Sequence, residues 1–111
     1  MAVSKTRAKL VDVARQLFAK QGVDNTTMND IAVASTKGRR TLYTYFKSKE
    51  EIYVAVVESE LDKLAEALDK VAAENIAPDM KILKLIETHL DAIKMIVRRN
   101  GSLRASFFRD I

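Results

Sequence analysis

The chain has 111 residues, 48% of them apolar and 31% charged, enough for one ordinary core under a polar surface. It holds no cysteine and a single histidine, which excludes disulfides, thiolate chemistry and Cys- or His-rich metal sites. Residues 1–50 carry ten Lys/Arg against four acids, whereas residues 51–111 carry nine against eleven, so the net charge of +4 resolves into a basic head on a mildly acidic body.

Such a head is expected to meet a polyanion, with nucleic acid the first candidate and an anionic membrane surface the second. No charge-free apolar run approaches the ~20 residues of a membrane span. The start, with Lys5, Arg7 and Lys9, has no apolar signal-peptide region. A soluble, cytoplasmic protein is expected. Three glycines and one proline leave little punctuation, and the wealth of Ala, Leu, Lys and Glu predicts an all-α chain.

The first helix is predicted from Ser4 to Lys20, with Leu10, Val13, Ala14, Leu17 and Phe18 on one face and Gly22 as its C-terminal cap. Thr27 is placed to cap a short second helix, about Met28 to Ala34, with Asp30 in its positive first turn. Ser35-Thr36-Lys37-Gly38 interrupts the pattern, and a third short helix follows from Arg39 to Phe46, carrying Leu42, Tyr43 and Phe46. Two short helices joined by a tight turn, after a longer one, make a three-helix arrangement of the helix-turn-helix type.

Ser48-Lys49-Glu50-Glu51 reads as a capping box that opens a long fourth helix to about Ala73, with Val57, Leu61, Leu64, Leu68 and Val71 along one stripe. Asn75 to Pro78 ends it and starts a fifth helix, whose broad apolar face holds Ile82, Leu85, Ile86, His89, Leu90, Ile93, Ile96 and Val97. Leu83 and Met95 lie off that face. Arg98 and Arg99 suit its negative end, and Asn100-Gly101 closes it. A sixth helix is expected from Ser102, with Leu103, Phe107, Phe108 and Ile111. The composition shift near residue 50 divides the chain into a basic head, 1–50, and a helical body, 51–111.

The run Thr26-Thr27-Met28-Asn29-Asp30-Ile31-Ala32, followed by Thr41-Leu42-Tyr43-Thr44-Tyr45-Phe46-Lys47-Ser48-Lys49-Glu50-Glu51-Ile52, resembles the N-terminal DNA-binding domain of the tetracycline-repressor (TetR) family. The resemblance spans about Lys9 to Tyr53 and implies that residues 1–50 form a helix-turn-helix DNA-binding domain and residues 51–111 a helical regulatory region for effector and dimer contacts. It implies that Thr27, Thr41, Tyr43, Tyr45 and Lys49 match positions that commonly touch DNA. Arg39 and Arg40 are added from charge and position alone, because an arginine can chelate guanine O6 and N7 in the major groove. This chain departs from the family in the turn, where Thr36 replaces the usual glycine, Lys37 a buried valine and Gly38 a serine cap, while Arg40 stands at a frequent glycine. A β-branched residue disfavours positive φ, which leaves the start of the third helix open by about a residue.

The remaining chemistry-bearing residues have quieter readings. His89 is expected to be a buried, hydrogen-bonded core residue, with a small-effector pocket as the sharper alternative. Phe107 and Phe108 are expected to pack, or to wall that pocket. Glu50, Glu51, Glu58 and Glu60 are read as helix-surface acids. With no nucleophile set, catalytic carboxylate pair, phosphate-cradling loop or metal-ligand spacing, neither an enzyme nor a cofactor is expected.

The expected function is a sequence-specific transcription regulator. The resemblance implies a ligand-responsive repressor, homodimeric when full length, on a palindromic operator of double-stranded DNA. The alternative is an all-helical interaction module whose basic head binds an acidic partner without sequence preference. The resemblance also implies a longer protein, whose last two helices form the dimer bundle, so the 111-residue chain by itself is expected to dimerise poorly.

Overall fold

The computed structural model describes residues 4–101. Five helices follow one another: α1 (Lys5–Gln21), α2 (Met28–Ser35), α3 (Gly38–Tyr45), α4 (Lys49–Ala72) and α5 (Pro78–Asn100). All five agree with the sequence expectation to within a residue at each end. The predicted sixth helix, with Phe107 and Phe108, lies outside the described residues.

α1 to α3 and the first turns of α4 enclose one core. Leu10, Ala14 and Phe18 of α1 meet Ile31 and Ala32 of α2, Leu42 of α3, Phe46, and Ile52, Ala55 and Val56 of α4. The helix ends are tied off by side chains. Ser4 caps α1 by accepting from the Arg7 amide, and Ser48 caps α4 by accepting from the Glu51 amide at 3.2 Å. The Glu51 carboxylate accepts from the Lys47 amide at 3.1 Å, one residue before the partner that a capping box requires.

α4 has 24 residues and reaches about 36 Å at 1.5 Å per residue, carrying the chain out of the head. Pro78 restarts the chain at the first turn of α5, and Lys81 Nζ donates to the Ala72 carbonyl at 2.9 Å, closing the end of α4. α5 then runs back along α4 until its last turn meets α1. At Gly101 (φ +43°) a Cβ would lie 2.6 Å from the Ala19 carbonyl oxygen, so only glycine permits this approach of α5 to α1.

Two expectations about the body are corrected. α5 buries far less than its apolar face implied: Ile82, Ile86 and Leu90 are each more than half exposed, like the off-face Leu83 and Met95, and only Asn100 is fully buried. Its apolar arc is wider than the one strip that α4 can cover. Leu61, expected in the buried stripe of α4, is 42% exposed for the same reason.

The larger correction concerns Glu60. Glu50, Glu51 and Glu58 do face solvent, but Glu60 is fully buried. It lies four residues beyond Val56 and eight beyond Ile52, so the stripe that faces the head core carries it inward. Arg99 of α5 donates from Nη2 to its Oε2, and Arg15 Nε of α1 lies 3.8 Å from its Oε1. Arg15 Nη1 also donates to the Arg99 carbonyl at 3.3 Å. One carboxylate thus joins three helices through two arginines.

Removing one member of a buried ionic group leaves the other charges uncompensated, whereas replacing the whole group by apolar side chains of similar volume is often neutral or better. Glu60→Ala is therefore expected to lower the unfolding free energy by about 3–5 kcal/mol. The triple change Arg15→Met, Glu60→Leu, Arg99→Met is expected to recover most of that loss, as measured by urea unfolding.

Candidate nucleic-acid interface

α3 is rooted by one edge and open along the rest. Leu42 and Phe46, four residues apart, point into the core, fully and almost fully buried. This spacing leaves Arg39, Arg40, Tyr43, Thr44 and Tyr45 exposed, with Thr41 half-buried at the margin. Tyr43 and Tyr45 are 43% and 37% exposed, each open to a partner on the surface of the head. Five of the seven sequence-predicted contact residues (Arg39, Arg40, Thr41, Tyr43 and Tyr45) therefore belong to one short helix.

The other two flank it at helix starts. Thr27 Oγ1 accepts from the Asp30 amide and the Asp30 carboxylate accepts from the Thr27 amide, both at 3.0 Å, a complete capping box. Asp30 is also reached by Gln21 Nε2 at 3.4 Å, which ties the box back to the end of α1. Lys49 is only half exposed, and its ammonium donates to the Val23 carbonyl at 2.9 Å. One of its three protons thus anchors the start of α4 to the connection between α1 and α2.

That connection is rigid by local bonding. Thr26, fully buried, donates to the Gly22 carbonyl at 2.7 Å, and Gln21 and Asn25 exchange bonds from side chain to backbone. The angle between α1 and α2 is set by these polar side chains as much as by the core.

The turn between α2 and α3 carries the departure noted in the sequence. Thr36 adopts the left-handed region itself (φ 59°, ψ 12°) as the C-cap of α2, the position for which a glycine is best suited. Its hydroxyl donates to the Ser35 carbonyl at 2.6 Å, and the buried Ser35 hydroxyl accepts from the Lys37 amide at 3.3 Å. Gly38 follows with φ +82°, so the glycine serves as a second positive-φ residue and not as a side-chain cap. Lys37 precedes α3 without capping it, and α3 begins one residue earlier than predicted.

A further link joins residues too far apart in the chain for any local pattern to reveal it. Ser4, 41 residues away in the chain, donates from its hydroxyl to Tyr45 Oη at 3.1 Å, and the Arg7 guanidinium lies 5.1 Å over the Phe46 ring. The first turn of α1 is thereby fastened to the end of α3.

Of the three residues suggested for an effector pocket, only His89 lies among the described residues. His89 is exposed, contrary to the buried position expected, because its flank of α5 has no helix over it among the described residues. It lines a shallow apolar depression of about 340 Å³ with Leu68, Leu85, Ile86 and Leu90. Phe107 and Phe108 lie outside the described residues. Among the described residues no group of three His, Cys, Asp or Glu could hold a metal ion, and no helix is long and apolar enough to cross a membrane.

A buried three-helix head presenting one basic, hydroxyl-rich helix is the architecture of a helix-turn-helix protein. Residues 10–56 match the family described as bacterial regulatory proteins, tetR family, and this segment belongs to that family. The chain is 33% identical over 99 residues to the uncharacterized HTH-type transcriptional regulator Rv1255c of Mycobacterium tuberculosis, covering 89% of this chain and 47% of that protein. It is 32% identical over 90 residues to the HTH-type transcriptional repressor KstR2 of Rhodococcus jostii, covering 81% of this chain and 44% of the repressor. The fold extends to a solved TetR-like transcriptional regulator from Rhodococcus sp. RHA1, with a TM-score of 0.74 at 21% identity over 96% of this chain and 61% of that one. The chain spans about a third to a half of the length of the curated relatives it matches.

A left-handed conformation costs an L-residue roughly 1–2 kcal/mol that glycine does not incur, offset in part by the greater freedom of glycine when unfolded. Thr36→Gly is therefore expected to stabilise the chain by about 0.5–1 kcal/mol, read as a raised urea midpoint at unchanged slope.

Proposed function

We propose that this chain reads DNA for a ligand-responsive transcriptional repressor that works in the cytoplasm as a homodimer on a palindromic operator. The observation that carries the reading is α3: Leu42 and Phe46 seat it in the core while Arg39, Arg40, Tyr43 and Tyr45 stay exposed. Arg39 and Arg40 address base edges, Thr41 adds a hydroxyl at the margin, and Tyr43 and Tyr45 donate to phosphates. Thr27 and Lys49 hold the flanking helix starts in place and offer further phosphate donors. DNA-contacting residues fall within 1–50 and regulation within 51–111, with the first turns of α4 completing the core of the head.

Repression is supported by the name of one matched relative, the HTH-type transcriptional repressor KstR2. The effector region is the apolar flank of α4 and α5 that includes Leu68, Leu85 and His89. Ligand there would move α5 against α4 and so alter the angle at which α4 leaves the head. Two heads must present their α3 helices one DNA turn apart, roughly 34–36 Å, or a multiple of it, to engage both half-sites. A ligand that favours another spacing shifts the population away from DNA.

The test is selection of bound duplexes from a random-sequence library at moderate salt. Enrichment of a half-site or a palindrome is expected. Recovery of no preferred sequence, with binding that fades as salt rises, would overturn the reading in favour of a non-specific basic module. Against the enriched duplex, Arg39→Ala and Arg40→Ala are each expected to weaken binding about five- to hundredfold and to relax preference at the base pair contacted.

A further inference from the structure

We propose that Ser4 is a positioning residue of the DNA interface, which orients the Tyr45 hydroxyl as a phosphate donor and so brings the first turn of α1 into the interface. The inference rests on the reading of α3 as the DNA-contacting helix and deepens it. Ser4 Oγ makes two bonds at once. It accepts from the Arg7 amide at 3.2 Å and donates to Tyr45 Oη at 3.1 Å. The first bond is the helix cap, so the position of the oxygen is set by the backbone of α1 and not by a free rotamer.

Phosphate oxygens only accept. When Tyr45 touches DNA, its own proton must go to the phosphate, and the phenol oxygen is left to accept from a neighbour. Ser4 is that neighbour. The Arg7 amide, Ser4, Tyr45 and the phosphate then form a chain of bonds that all point the same way, each polarising the next. Tyr45 is 37% exposed, and without Ser4 its hydroxyl would turn between solvent-facing directions. The stacking of Arg7 over Phe46 at 5.1 Å keeps α1 and the end of α3 in register, so the pairing does not depend on the Ser4–Tyr45 bond alone.

The experiment is a double-mutant cycle on the 111-residue chain, with Ser4→Ala, Tyr45→Phe, the double variant and Ser4→Thr titrated against the duplex enriched by selection. Ser4→Ala removes one neutral hydrogen bond and is expected to weaken binding about three- to tenfold, whereas Tyr45→Phe also removes the bond to a charged phosphate and is expected to weaken it about ten- to hundredfold. The salt slope should stay unchanged, because no charge is lost. In the Tyr45→Phe background, Ser4→Ala should have no further effect, and Ser4→Thr should bind like the parent chain. Ser4→Gly, which retains most of the capping stability, should match Ser4→Ala in affinity and thereby separate the role of the hydroxyl from helix stability. Parental affinity for Ser4→Ala, or losses that multiply in the double variant, would overturn the assignment while leaving α3 as the reading helix. If the parent chain enriches no duplex at all, the reading beneath it fails instead.

Discussion

The arrangement of head and body depends on one buried carboxylate. The head core ends at Val56, and one turn further along α4 the same stripe carries Glu60 into a site closed by α1 and α5. Arg15 and Arg99 reach it from opposite helices, and Arg15 binds the last-turn backbone of α5 as well. An apolar contact at this junction would tolerate sliding, because burial is non-directional. Charged hydrogen bonds between fixed helices do not. The junction also includes polar atoms with no hydrogen bond among the described residues, namely Arg15 Nε, Glu60 Oε1, Arg99 Nε and Asn100 Oδ1. Such a site adds little to stability. Its physical effect is to favour one angle between α4, α5 and the head.

Alternative partners stand beside it. Asp12 lies 3.6 Å from Arg15 Nε, and Lys63 Nζ lies 4.0 Å from Glu60 Oε1, both nearer to solvent. If α5 withdraws, neither Arg15 nor Glu60 is left without a countercharge. The cost of changing the angle is thereby kept below that of baring a buried charge. The close fit of Gly101 against Ala19 works in the opposite sense, by permitting the seated position only when no side chain intervenes.

The head is held by different means. Its apolar core is small, and polar side chains finish the work at every connection: Thr26 on Gly22, Thr27 with Asp30, Lys49 on Val23, Ser4 on Tyr45. These bonds secure short helices that would be marginal in isolation. They also explain how the turn accepts a threonine at positive φ. Ser35 and Thr36 bond the local backbone, and Gly38 takes a second unusual conformation without any side chain to accommodate. Strain is thus confined to the segment that aims α3.

Much of this was legible along the chain. Helical periodicity, caps and the few breakers located all five helices, because those signals are local and act within one or two turns. The seatings of Leu42 and Phe46, the Thr27 cap and the exposure of Arg39 and Arg40 follow from the same periodicity. The places where local reasoning failed are those that involve distant partners. Glu60 reads as one more surface acid until Arg15 and Arg99, 45 residues before it and 39 after it, are brought against it. The exposure of His89 and Leu61 depends on how much of an apolar arc a single neighbouring helix can cover. The pairing of Ser4 with Tyr45 exists only because the core sets α1 across α3. Sequence alone determined which segments are helical and which face of α3 is basic, since both depend on neighbours within a few residues. The tertiary structure alone decided which charges are buried and which hydroxyls meet, since burial and hydrogen bonding are properties of surfaces that come together only when helices far apart in the chain pack.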